Sequence, residues 1–207
     1  NIQAIKGTVK EKWVAVTENL PSEDNLNLHI ADMNFQMKNY QQAYQLLEKI
    51  KEPHLLSEAD QVLRIQMASS LYEQKGDTET AMRYLSELAR VWNGKPELTI
   101  APTLRLAEMN AKKGNVEEAQ KALAKIIEIA ETNTKVKPYD VIKAVDLSAD
   151  LYQKADKVDD AAKRYSFVLA KYEADHNLSE ERYKLGELYF KKGEVKKAES
   201  IWADLKG

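Results

Sequence analysis

The sequence contains no cysteine. That removes disulfides, thiolate metal sites and cysteine nucleophiles together, and is compatible with a cytoplasmic or a periplasmic location. Glycine and proline are scarce, at 7 and 5 of 207 residues, and every glycine stands alone. A loop that cradles phosphate with successive backbone N–H groups is therefore absent. The three histidines, His29, His54 and His176, are scattered, with no second ligand at metal spacing beside them. No serine sits in a nucleophile elbow. Carboxylates abound, but a helical surface this charged always offers pairs, so none marks acid–base catalysis. No apolar run approaches the roughly 18 residues that span a bilayer. A net charge of −2 gives no bulk attraction to nucleic acid or anionic membrane. The one lysine cluster, Lys191, Lys192, Lys196 and Lys197, is interleaved with Glu194 and Glu199, as on a solvated face. Asn177-Leu178-Ser179 is a glycosylation sequon by letter only. The expectation is a protein without catalytic residues, cofactor, metal or nucleic-acid partner. The sequence opens on Asn1 with no signal-like segment, which suggests a processed product or an excised fragment.

What the chain does have is charge and apolar residues in helical proportion, 31% and 43%, the balance of an all-helical protein. Ile2, Ile5, Val9, Trp13, Val16 and Leu20 recur at alternating threes and fours, with Lys6, Lys10, Glu11, Lys12 and Glu18 opposite. This predicts an amphipathic helix over 2–19. Packing on the following hairpin is the ordinary use of such a stripe; a membrane, a partner helix or the remnant of an upstream repeat are the others. Pro21-Ser22-Glu23-Asp24 then ends that helix and starts the next.

The last stretch shows the unit from which the rest is built. Arg182-x-x-Leu185-Gly186-x-x-Tyr189 is followed by Gly193 and by Ala198-x-x-x-Trp202. A small residue, a glycine turn, and an alanine twelve residues after the small one describe a tight helical hairpin. In it Gly186 and Ala198 let two helices approach, while Tyr189 and Trp202 fill the space around them. The same rule finds Ala31, Ala43 and Leu47; Ser69, Ala81 and Leu85; Ala107, Ala119 and Leu123; and Ala149, Ala161 and Tyr165. The alanines are spaced by 38, 38, 42 and 37 residues. One such pair means little; five in series define a repeat. The turns agree. Gly76-Asp77 and Gly114-Asn115 place a left-handed residue before an N-cap, with Glu118 expected to complete a capping box with Asn115. Gly193, Lys38-Asn39 and Asp156-Lys157 occupy the equivalent places. Pro53, Gly94-Lys95-Pro96 and Lys137-Pro138 break the chain between repeats.

These residues resemble the tetratricopeptide pattern, Leu-Gly-x-x-Tyr followed by Ala-x-x-x-Phe with a period of about 34 residues. The resemblance covers about 24–205. Arg182 stands where the family has a tryptophan, and Asn34 and Asn110 fill the tyrosine slot. The repeats are also longer than the usual period. The implied fold is all-α: a right-handed superhelical solenoid of about five helical hairpins (24–53, 55–93, 98–132, 138–174 and 177–207), preceded by one amphipathic helix over 1–20. Each hairpin then buries a face only by leaning on its neighbours.

The resemblance also implies a site, because the first helix of each hairpin lines a concave groove in that family. The residue after the small one looks into it, here Asp32, Ser70, Glu108, Asp150 and Glu187. One turn earlier stand Leu28, Gln66, Leu104, Asp146 and Tyr183, and one turn later Phe35, Glu73, Ala111, Gln153 and Phe190. The candidate groove residues are Asp32, Phe35, Ser70, Glu73, Glu108, Asp146, Asp150, Tyr183, Glu187 and Phe190. Family members that clamp acidic tails place lysine and asparagine in these slots, whereas carboxylates here suit a basic or amphipathic segment. The competing expectation is that the acids pair with Arg105, Lys143, Lys154 and Lys184 nearby. The functional expectation is a non-enzymatic interaction scaffold that docks a partner protein or peptide. Its alternatives are a structural subunit of a bacterial envelope or motility assembly that uses its ends, and a peptide-sensing domain of a larger regulator.

Overall fold

The structure is a computed structural model that describes residues 21–133 and 136–205. The helix expected over 2–19 lies outside the described residues. Among those described, ten α-helices and one 3₁₀ turn (Pro53–Leu55) succeed one another without a strand. The helices are α1 (Glu23–Gln36), α2 (Tyr40–Leu47), α3 (Glu58–Gln74), α4 (Thr78–Val91) and α5 (Pro96–Lys112). They continue as α6 (Val116–Thr132), α7 (Pro138–Lys154), α8 (Val158–Tyr172), α9 (Ser179–Lys191) and α10 (Val195–Ala203). No helix is long and apolar enough to cross a membrane. The chain divides into two compact units at Asp77–Thr78, the first holding α1–α3 and the second α4–α10.

In the first unit Ser22 caps α1, its hydroxyl accepting the Asn25 N–H at 3.1 Å. The Asp24 carboxylate accepts the backbone N–H groups of Lys51 (3.1 Å) and Glu52 (2.8 Å), which pins the segment after α2 to the start of α1. Asn25 in turn donates to Asp60 of α3 at 2.9 Å. Beneath these polar ties α1, α2 and α3 enclose Leu28, Ala31, Ala43, Leu46, Leu56, Met67 and Leu71.

The second unit repeats one arrangement. Each helix packs on the next from α4 to α10, and α5 also packs on α7, as stacked hairpins require. Two contiguous cores result. One gathers Ile100, Leu104, Leu123, Ile126 and Val141, the other Val145, Tyr165, Val168, Leu185 and Leu188. Proline stands at the first turn of α5 and α7, where its missing N–H costs nothing. The small residues of the repeat rule behave as the spacing requires: Ala31, Ala43, Ala107, Ala119, Ala149, Ala161 and Ala198 have no exposed surface.

Every hairpin turn has the same backbone. Gly76, Gly114 and Gly193 take φ of +81°, +82° and +79°, and Lys38 and Asp156 take 63° and 57° in the equivalent places. The N–H of each donates to the carbonyl three residues back (Phe35, Glu73, Ala111, Gln153 and Phe190) at 2.9 to 3.1 Å. The following N–H reaches five residues back, to Asn34, Tyr72, Asn110, Tyr152 and Tyr189, at 2.8 to 2.9 Å. This is the Schellman closure of a helix end. The capping box expected at Asn115 does not form. Its side chain makes no cap bond and donates instead to Asn110 Oδ1 at 3.2 Å. Asn110 is buried in the tyrosine slot and also donates to the Leu106 carbonyl, so the polar replacement is satisfied at both ends.

Candidate partner-binding face

In the first unit the expected groove residues are largely occupied by their own helices. Asp32 accepts from Gln36 at 2.8 Å, and the Ser70 hydroxyl donates to the Gln66 carbonyl at 3.0 Å. Phe35 packs against the core and lies 5.5 Å from the Tyr40 ring. Glu73 is half-buried at the penultimate position of α3. Leu28, expected to border the groove, is a fully buried core residue, and Leu104 in the second unit is likewise core. The apolar half of a tetratricopeptide-like first helix faces its hairpin partner, and both leucines lie on that side.

The second unit is different. Glu108 pairs within α5 to Arg105 at 2.7 Å, the local pairing that competes with a ligand role. The charges on α7 and α9, however, meet. Lys184 of α9 reaches Asp146 of α7 at 3.3 Å and Glu180 at 2.8 Å, while its ammonium lies 5.9 Å from the Tyr165 ring. Burial, opposed by Lys184, pushes the Asp146 carboxyl above its ordinary range. Burial also raises Glu181, which is 7% exposed, and the Asp146 and Glu180 charges add to that rise. Lys184 is desolvated as well, yet its bonds to Glu180 and Asp146 hold its pKa above the usual lysine value. Asp150, one turn along α7, is exposed, and it has no ion pair among the described residues. Glu187, one turn beyond Tyr183 on α9, is half-buried and similarly without an ion pair. Asp146 and Glu180 thus share the Lys184 ammonium, while Asp150 and Glu187 stand on the same two helices without an ion pair among the described residues.

An aromatic group borders this charge. Tyr183 and Phe190 are about half exposed, and their ring centroids lie 6.1 and 6.0 Å from that of Trp202 on α10. Trp202 Nε1 donates to the Tyr183 carbonyl at 3.1 Å and its indole covers Gly186. Arg182, in the family's tryptophan slot, fastens the neighbouring side. Its guanidinium grips the Glu173 carboxylate with two N–H groups, one at 2.7 Å, and reaches Asp204 at 3.0 Å.

The structure thus brings Asp146, Asp150, Tyr183, Glu187 and Phe190 onto α7 and α9, and leaves Asp32, Phe35, Ser70 and Glu108 engaged locally. Sequence reasoning missed Glu180, Glu181 and the buried hydroxyl of Tyr165. The first two read as ordinary acids in the first turn of a helix, and their link to α7 depends on a packing register that repeat spacing does not give. Of the other pairing cations, Lys143 lies over the Tyr139 ring at 5.2 Å. Among the described residues no cluster of three or more His, Asp or Glu is gathered closely enough to hold a metal ion.

A family model described as a tetratricopeptide repeat matches residues 104–133. No curated protein matches the chain. Solved structures match throughout its length. A kinesin light chain-like protein of Podosopora anserina with nearly identical TPR-like repeats is 18% identical, with a TM-score of 0.62 over 90% of this chain and 95% of that one. MamA of Desulfovibrio magneticus RS-1 is 13% identical, with a TM-score of 0.61 over 89% and 94%. The apo form of RapI is 15% identical, with a TM-score of 0.72 over 96% of this chain but 57% of its own. At these identities the likeness is one of fold: an all-α solenoid of tetratricopeptide-like repeats, a fold that serves in general as a scaffold for protein–protein interaction.

Proposed function

We propose that this protein is a non-enzymatic scaffold that docks a basic or amphipathic segment of a partner protein along the first helices of its hairpins. The second unit supplies the principal contact face. The observation that carries this reading is the α7–α9 surface, where Asp146 and Glu180 pair with Lys184, and where Asp150 and Glu187 have no ion pair among the described residues and stand on the same two helices as exposed Tyr183 and Phe190. Exposed ion pairs on helices are cheap and balanced; an unbalanced set of carboxylates next to exposed rings is complementary to a cationic, partly apolar strand or helix. The double reversal Asp150→Lys with Glu187→Lys should abolish capture of the partner by the purified chain. Capture undiminished by that variant would remove the reading.

A second reading, in which the protein acts as a structural subunit through its end, has one specific support. Leu26, Ile30, Met33 and Met37 form an exposed apolar stripe along and just beyond α1, each between 45% and 61% accessible. Deleting residues 1–20 should disrupt assembly under this reading and leave partner capture intact under the first.

A further inference from the structure

The apolar stripe of α1 occupies positions that the other repeats bury. Counted from the small residue of each hairpin, Met33 corresponds to Leu71, Met109, Leu151 and Leu188. Those four are between 1% and 6% exposed, whereas Met33 is 61% exposed. Ile30 corresponds to Ala68, Ser148 and Leu185, all buried, and to half-buried Leu106. In the second unit, the second helix of the preceding hairpin closes these positions. Leu151 shares a core with Leu123 and Ile126 of α6, and Leu185 and Leu188 share one with Val168 and Leu169 of α8. The α1 positions have the same apolar character, yet α1 is the first described helix and no described helix stands before it. Met37 goes further. Its counterparts Lys75, Lys113, Ala155 and Lys192 are all exposed, so the apolar stripe of α1 is one turn longer than the others.

The sequence just before α1 carries the matching pattern. Read backwards, Leu20, Val16, Trp13 and Val9 step by 4, 3 and 4 residues, as Leu26, Ile30, Met33 and Met37 do read forwards. Each pair, from Leu20 with Leu26 to Val9 with Met37, is symmetric about Glu23, the first residue of α1. Two antiparallel helices joined by a short turn bring such mirror pairs to the same level. The helix expected over 2–19 leaves residues 20–22 to make that turn, within the usual length of about two to five residues, and Ser22 already caps α1. We propose that residues 2–20 of this chain cover the α1 stripe as an antiparallel helix, in the place that a second helix takes in the other repeats. Leu20 packs on Leu26, Val16 on Ile30, Trp13 on Met33 and Val9 on Met37. The Trp13 indole then meets the Met33 thioether, a favourable contact, and Lys6, Lys10, Glu11, Lys12 and Glu18 face water. A short tether holds the segment at an effective concentration on the order of millimolar, which favours it over a free partner or a second copy. The stripe is then core of the first unit, and assembly through it would require residues 2–20 to cross to another chain. This inference is independent of the docking reading.

The test is NMR of the full chain with labelled methionine and valine methyl groups. The Trp13 indole protons should give nuclear Overhauser effects to the Met33 methyl, and the Val9 methyls to that of Met37. Trp13→Leu, which keeps the segment apolar, should remove the ring-current shift of the Met33 methyl and leave Met109, in the core of the second unit, where it was. A mixture of labelled and unlabelled chains should show none of these effects between molecules. Contacts from residues 9–20 to neither methionine would overturn the proposal. So would effects that appear only between molecules, because a second copy would then supply the cover. Val9 meeting Met33 instead of Met37 would overturn the register. The Asp150→Lys with Glu187→Lys variant should leave all these effects unchanged, so the docking reading and this one can each fail alone.

Discussion

Gly186 has no side chain because the indole of Trp202 occupies the position that its Cβ would take. In an open helix, glycine to alanine would gain about 1 kcal/mol of helix propensity. Here the added methyl collides with a ring that is itself fixed by the bond from Trp202 Nε1 to the Tyr183 carbonyl. Gly186→Ala should therefore destabilise the protein by about 1–3 kcal/mol, the usual cost of overpacking, as read by chemical denaturation. A stabilised variant would show that the indole moves aside freely. Glu181 gives a prediction of a different kind. Burial raises its pKa, with Asp146 and Glu180 adding to the shift. A carboxyl whose folded pKa exceeds its unfolded one stabilises the fold when protonated. That contribution is full below the ordinary glutamate range near ~4.3, and is lost as the pH rises through the folded value. Relative to the wild type, Glu181→Gln should thus gain thermal stability progressively as the pH is raised from about 4 to about 7. A difference in Tm that does not change with pH would show that Glu181 is solvated as an ordinary surface acid.

At the scale of elements, the hairpin turns are the part of the fold most fully written in the sequence. Gly76, Gly114 and Gly193 sit where a left-handed residue is needed, and the same backbone is imposed on Lys38 and Asp156, whose φ values are 63° and 57°. A side chain in that region costs about 1–2 kcal/mol, part of which glycine returns as greater freedom in the unfolded chain. Lys38→Gly and Asp156→Gly should each raise stability by about 0.5–1 kcal/mol in denaturant unfolding; a loss would mean that these side chains make contacts worth more than the strain. The caps were less legible. Asn115 followed by Glu118 has the letters of a capping box, yet the Schellman closure already fixes the chain direction, and the Asn115 amide goes to buried Asn110. A local motif yields when a buried polar group two turns away needs a partner.

Across the molecule, the repeat was legible because it rests on small residues at fixed spacing, and close helix packing accepts little else at those positions. The candidate face was legible only in part. Asp150, Tyr183 and Glu187 are exposed or half-buried on first helices, as the family resemblance implies, but Leu28 and Leu104 belong to the core. Glu180 and Glu181 come near Asp146 only through the register of α9 against α7, which the Lys184–Asp146 pair spans. Such a relation between helices 38 residues apart in sequence is set by three-dimensional stacking and leaves no mark in a single chain. Docking on these carboxylates predicts salt-sensitive binding: raising ionic strength from about 0.05 to 0.5 M should slow association more than it speeds dissociation. A rate insensitive to salt would place the contact away from these charges. The most direct test of the account is hydrogen exchange of the chain with and without its captured partner. Docking on the α7–α9 face predicts protection at residues 141–154 and 180–191, with the α1 stripe unchanged. Protection confined to α1, or to α8 and α10 without α7 and α9, would contradict it.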